Sequence, residues 1–330
     1  MNWTLTPDQF AMAWERVDGD RIPYPLAVRA SARDTAQRAA RLPELIAWCD
    51  RVLDADLEAA LRVLARPTVR LEVYGECADT PESFPTPDEI HSTAQVLGAE
   101  PTYGTIGATA QANPAANTPA PPGLDARARD GRTPSRQQRF AAIAYDHERD
   151  AVRAERPTTD ASPVRVLGAA AGHIAVVAAQ QPGSAADRGG DVRLLIGGPK
   201  SLAARVISAL PGNSPGGLPR LSAPLPRVRE DSRDLVTMPV AGPAAPARIR
   251  RLFGRPRAGI GQIVVSTRRP DADLKPFGVL CWIDVAGDGR YAVRTGADVD
   301  VTPVDAEGFT AQLRPMLNAA GRCGVDAARW

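Results

Sequence analysis

The sequence predicts an α+β fold in two similar halves, each an antiparallel sheet with amphipathic helices. Three observations carry that prediction. Residues 259–294 read as a long β-meander, and an apolar stripe at helical spacing follows closely at Phe309, Leu313, Met316 and Leu317. Strands followed by a proline-started helix also occur a second time, over residues 164–212.

The first element is a helix. Thr6, Pro7, Asp8 and Gln9 form a capping box with proline at the first helical position. Phe10, Ala13, Trp14 and Val17 make its buried stripe, and Gly19 ends it. Residues 22–29 are punctuated by proline and extended. Residues 32–42 read as a helix, with Pro43 starting or kinking the next. Leu45, Cys49, Val52, Leu53, Leu57, Leu61 and Leu64 then recur at helical spacing until Pro67. Over residues 68–74 the period changes to two: Val69, Leu71 and Val73 point inward, Arg70, Glu72 and Tyr74 outward.

Residues 79–162 break the pattern and read as an insert. Residues 111–135 within it hold too little apolar material to offset the entropy of ordering and are expected to be disordered. Residues 95–111 partly echo residues 165–180, as a duplicated hairpin or by chance, and residues 135–155 fit either a charged helix or a further strand. Order returns in a hairpin at 164–167 and 173–180, a strand through Val192, Leu194 and Ile196, and a helix opened by Pro199 that buries Leu202, Val206, Ile207 and Leu210. After an extended connector over 211–226, residues 235–253 read as helix in two pieces.

In the meander, Ile263 and Val265 alternate with Gln262, Val264 and Ser266. Val279, Cys281, Ile283 and Val285 share one face, with Leu280, Trp282 and Asp284 on the other. The turn of Ala286, Gly287, Asp288 and Gly289 tolerates positive φ. Thr302 as N-cap with Pro303 at the first helical position is expected to start the last helix, and Gly321 to stop it.

Composition excludes several functions. The 330 residues are 44% hydrophobic, enough for a sizeable core, and a formal charge of +2 argues against a dedicated binder of nucleic acid or anionic membrane. Aromatics at 5% are too few for a base-stacking platform. Cys49, Cys77, Cys281 and Cys323 lie far apart without a C-x-x-C pair, which suits a reducing cytoplasm, and Cys281 reads as a buried thiol. The N-terminus lacks a signal-peptide pattern and no apolar run reaches membrane length, so a soluble protein that stays in the cell is expected.

Motif-level chemistry is absent. Gly197, Gly198, Pro199, Lys200 and Ser201 resemble the end of a phosphate loop, but the upstream glycine position holds Leu194, and a helix start explains them. Val264 stands where a dinucleotide fingerprint after Gly259 and Gly261 needs its third glycine. Residues 284–289 lack the closing glutamate of a calcium loop, where Thr295 stands. His91, His147 and His173 have no ligand spacing, and the arginines at 248, 250, 251, 255 and 257 read as a solvated helix face. No cofactor or metal is expected, and a sheet with one solvated face suits a binding protein rather than an enzyme.

Three blocks of sequence also resemble the EspG family, cytosolic chaperones of actinobacterial type VII (ESX) secretion. They are LTPDQFAMAWERV with Pro23, Tyr24, Pro25 and Leu26; VRVLGAAAGHIAVVAAQQPG with SLAARVISALPG; and Gly261 to Val265 with Trp282, Ile283, Asp284, Gly289, Arg290 and Tyr291. In the family the proline–aromatic motif leads into a strand. The resemblance implies a central antiparallel sheet shared by two quasi-equivalent halves and flanked by helical bundles. The halves would be residues 1–212, carrying the 79–162 insert, and residues 213–330, with a meander at 261–302 and a C-terminal helix at 303–320, in one structural unit.

The resemblance further implies a non-catalytic cytoplasmic chaperone that binds a PE–PPE heterodimer through its PPE subunit. It would mask an aggregation-prone tip and deliver the pair for secretion, the central sheet and C-terminal helices making the contact. A homodimer is compatible with it. Candidate partner-binding residues are Gln262, Val264 and Ser266 on one strand face, with Trp282, Arg290 and Arg294. Trp282 fits a core aromatic equally well. The insert lies outside the three family blocks. Two other readings remain: an enzyme whose site assembles only in three dimensions from Asp284, Arg290 and a histidine, and a regulatory or scaffold protein working through its insert.

Overall fold

The computed structural model describes residues 1–19, 21–78, 161–185, 187–230, 244–268 and 273–326, all within one compact unit. The first half runs β1 (Asn2–Leu5), α1 (Pro7–Val17), α2 (Thr35–Val52), α3 (Ala55–Ala65), β2 (Val69–Ala78), β3 (Ala161–Ala171), β4 (Ile174–Ala185), β5 (Arg188–Gly197) and α4 (Leu202–Ser208). The second runs β6 (Leu221–Pro224), α5 (Leu225–Arg229), α6 (Ala245–Phe253), β7 (Arg257–Arg268), β8 (Leu274–Val285), β9 (Gly289–Thr295), β10 (Asp298–Pro303) and α7 (Ala306–Asp326).

The ten strands form one antiparallel sheet in the order β1-β5-β4-β3-β2-β7-β8-β9-β10-β6. Each half opens on a short strand, passes through helices, and then runs a four-strand meander. The last strand of each meander pairs back with the opening one, β5 with β1 and β10 with β6. The halves join where β2 meets β7, from Val69 opposite Thr267 to Cys77 opposite Gly259. The arrangement is the α+β antiparallel sheet in two similar halves that the sequence predicts.

Strand alternation divides the core by face. On one face Val69, Leu71, Val73, Ile263, Val265, Leu280 and Trp282 pack beneath α4 and α7, through Leu202, Val206, Phe309 and Leu313. On the other, Leu167, Val176, Val192 and Leu194 pack beneath α1 and α3, while Ile283, Val285, Tyr291, Val299 and Val301 pack beneath α5 and α6.

Local chemistry sets most boundaries. The Thr6 capping box is formed in full, with Gln9 N–H donating to Thr6 Oγ1 and Thr6 N–H to Gln9 Oε1, and Gly19 takes φ +71 just past the helix. Gly172 and Gly287 supply positive φ in the β3–β4 and β8–β9 turns.

Several elements differ from expectation. Pro43 lies inside a continuous α2, and the break comes at Leu53 and Asp54, where the Asp54 side chain accepts from Leu57 N–H and caps α3. The last helix does not start at Thr302 and Pro303. Those residues end β10, held against Ala292 and Tyr291, and Asp305 caps α7 by accepting from Gly308 N–H at 2.7 Å. Nor does Gly321 stop that helix, which runs on to Asp326. Strand β3 begins at Ala161, inside the segment read as an insert, and β7 begins at Arg257. The edge strands β1 and β6 are not expected from the sequence, and residues 23–26 form a turn with a cis Tyr24–Pro25 bond instead of leading into a strand. The readings of 95–111, 111–135, 135–155, His91 and His147 lie outside the described residues.

Candidate partner-binding surface

Residues directly opposite each other in the sheet share a face, so register alone assembles a surface. Tyr74, Glu72 and Arg70 on β2 stand opposite Gln262, Val264 and Ser266 on β7. Gln262 and Val264 in turn face Cys281 and Val279 on β8. This strip lies between the two helical layers, α1–α3 over the outer strands of the first half and α5–α6 over those of the second. Among the described helices α7 alone packs substantially on β2 and β7, on the opposite face through Leu313 and Leu317. All members of the strip are half-buried except Ser266, which is buried.

The strip mixes apolar side chains, Val264 and Val279, with polar ones and holds one charged pair. Arg70 Nη1 lies 3.5 Å from Glu72 Oε1, and Arg70 Nη2 donates to Leu64 O at 3.5 Å. Burial lowers the Arg70 pKa and raises that of Glu72, with their mutual attraction opposing both shifts. Tyr24, exposed, leans on Tyr74 with ring centroids 5.9 Å apart.

The six residues singled out in the sequence do not form one patch. Gln262, Val264 and Ser266 lie together on the strip. Trp282 is 1% exposed on the other face, edge-on to Phe309 at 6.4 Å. Arg290 is also buried, its Nε and Nη2 each 2.8 Å from the Asp284 carboxylate and Nη2 donating to Pro211 O at 2.8 Å. Arg294 is exposed, four residues further along β9 and on the same face. Arg70, Glu72 and Tyr74 are the strip residues that sequence reasoning left out of the site. Their outward alternation was legible, but the pairing of β2 with β7, nearly 190 residues apart, was not.

Among the described residues the assembled-enzyme reading finds no support. The Asp284 and Arg290 side chains satisfy each other, and His173 sits exposed in the β3–β4 turn. Among the described residues no three His, Cys, Asp or Glu side chains gather as for a metal ion. Three of the five clustered arginines bind their own chain: Arg250 donates to Arg227 O and Glu230 O, Arg255 pairs with Asp288, and Arg257 donates to Phe253 O. Cys281 is half-buried rather than buried, and none of the four cysteines is in a disulfide. No helix among the described residues is long and apolar enough to cross a membrane.

A second polar network ties residues 211–218, the connector between the halves, to the β8–β9 hairpin. Arg290 N–H donates to Ser214 O, and Arg290 O accepts from Gly216 N–H. Asp288 Oδ1 accepts from Gly217 N–H at 2.7 Å, and Tyr291 Oη donates to Asp288 Oδ2 while accepting from Leu218 N–H. The Gly217 amide, with Tyr291 and Arg255, holds the Asp288 carboxyl below its usual range, and burial pushes the Tyr291 phenol up.

No curated protein matches the chain. Among solved structures, it is similar to the Mycobacterium tuberculosis type VII secretion system chaperone EspG5 in complex with the PE25–PPE41 dimer, at 15% identity over 96% of each chain and a TM-score of 0.47. The sequence profile of the EspG family matches residues 6–83 and 94–315. Only residues 84–93 interrupt it, so most of the segment read as an insert outside the family blocks is part of the family's own pattern. Matched over most of its length, the chain belongs to the EspG family.

Proposed function

We propose that this chain is a non-catalytic chaperone, acting in the cytoplasm, that binds a PE–PPE heterodimer through its PPE subunit. It covers the aggregation-prone tip of that subunit and delivers the pair to a type VII secretion system. Family membership over most of the chain is the observation that carries this reading. The strip on β2, β7 and β8 supplies a matching surface: Val264 and Val279 offer apolar contact, and Gln262, Glu72 and Arg70 offer polar groups at a rim or anchor. With the adjoining α5 and α6 it would form an interface of about 1,200–2,000 Å², as stable complexes need. Gln262 and Val264 are the proposed contacts among the residues singled out in the sequence, with Ser266 buried beside them on the same face. Trp282 and Arg290 act from within the core, by holding the sheet.

Co-expression with PE–PPE pairs from the same genome, capture on a tag and sizing of the product test the proposal. The expected result is a stoichiometric soluble complex with at least one pair, lost in Val264→Glu, which places a charge in the strip. Failure of every pair to form a complex would overturn it.

A further inference from the structure

The described residues hold two largely hidden arginine–carboxylate pairs within single hairpins or strands, and they are built differently. Arg290 meets Asp284 through two bonds of 2.8 Å and gives a third to Pro211 O, so the buried charge is well satisfied. Arg70 touches Glu72 only at 3.5 Å and Leu64 O only at 3.5 Å, and its buried Nε–H has no acceptor among the described residues. Side-chain exposures of 17% for Arg70 and 24% for Glu72 mean that both have lost most of their water. A pair in that position costs desolvation that such loose geometry does not offset. It is a poor device for stability, and it sits at the middle of the strip, beside Val264 and Ser266.

We propose that Arg70 and Glu72 are the polar anchor of the docking surface, built to take one neutral amide group of the partner. On docking, the Arg70 guanidinium turns to donate to the amide carbonyl, and Glu72 accepts from the amide N–H. The inference rests on the chaperone reading above and specifies the chemistry that its surface recognises. A neutral group fits because the pair is internally balanced: a partner cation would meet Arg70 and a partner anion Glu72. The carboxamide of an Asn or Gln holds a donor and an acceptor on separate atoms that can point the same way, whereas a hydroxyl holds both on one oxygen and a neutral imidazole points them apart. The group is the carboxamide of an Asn or Gln, carried among apolar side chains that cover Val264 and Val279. A partner without it would close the interface over a pair that holds only its own long 3.5 Å contact, which makes the site a discriminator.

The test is calorimetric titration of a purified PE–PPE pair into the full chain, with unfolding midpoints measured alongside. The double variant Arg70→Met/Glu72→Leu is expected to unfold at or above the wild-type midpoint while binding about ten- to a hundredfold more weakly. Arg70→Lys keeps the charge but not the guanidinium fork, and is expected to lose most of the same affinity with little change in midpoint. If the double variant fails to fold, Arg70→Lys decides. An Asn→Leu or Gln→Leu change at the partner's tip that costs affinity in wild type and nothing further in the double variant supports the anchor; no such coupling at any Asn or Gln of the tip overturns it. Wild-type affinity in both Arg70 variants, with Val264→Glu inactive, overturns the anchor and leaves the surface standing. Wild-type affinity in Val264→Glu as well overturns the surface and the anchor together.

Discussion

Gly75 and Gly261 face each other across β2 and β7, and the Trp282 indole fills the space their side chains would need. A Cβ on Gly75 would lie 2.8 Å from that ring, and one on Gly261 would run into it. Two glycines and a tryptophan thus make one packing unit at the seam between the halves. Gly261→Ala is expected to lower stability by about 1–3 kcal/mol as the indole is displaced, measured by urea denaturation. Asp288 shows a different dependence. Its folded pKa lies below the ordinary aspartate value of about 4, so its contribution is complete above that value and is lost as pH falls through the lower, folded one. Asp288→Asn is therefore expected to destabilise the protein at neutral pH and to flatten the acid limb of a stability–pH profile. An unchanged acid limb would contradict the assignment.

At the scale of elements, the connector at 211–218 is held by β9. Arg290 alone binds Pro211 O through its side chain, and Ser214 and Gly216 through its backbone. Arg290→Met would leave the Asp284 carboxylate buried without its partner and the connector without its side-chain tie. The expected loss is about 3–5 kcal/mol by denaturant unfolding. That role explains what the sequence could and could not reveal. The spacing of Asp284 and Arg290 across a turn was readable, but it fitted a site residue as well as a structural pair, since burial is set by distant chain. Most elements were legible because each carries its own signal, such as the Thr6 box or the alternation from Ile263 to Val265. The edge strands were not: β1 and β6 are four residues each and are strands by virtue of the neighbours they pair with, β5 and β10. The start of α7 was misplaced because Thr302 and Pro303 have good capping chemistry that β10 uses instead as the end of a ladder.

For the whole molecule, the doubled plan has a functional consequence. Two similar halves meet at β2 and β7, each half bringing helices over its own outer strands on one face, so among the described residues the seam on that face presents strand side chains alone. The other face of the same seam is closed by α7, with α4 beside it over β3 and β4. The surface therefore arises from the join and is invisible to any reading of one half. Trp282, Arg290 and Arg294 all belong to the closed side of the sheet, while Val264 belongs to the open side. The most direct test of this account is a calorimetric comparison of Val264→Glu with Arg294→Glu, titrating a PE–PPE pair that the wild-type chain captures. The account predicts that Val264→Glu abolishes binding and that Arg294→Glu leaves it within about twofold. Loss of binding in Arg294→Glu with retention in Val264→Glu would put the partner on the other face and contradict the account.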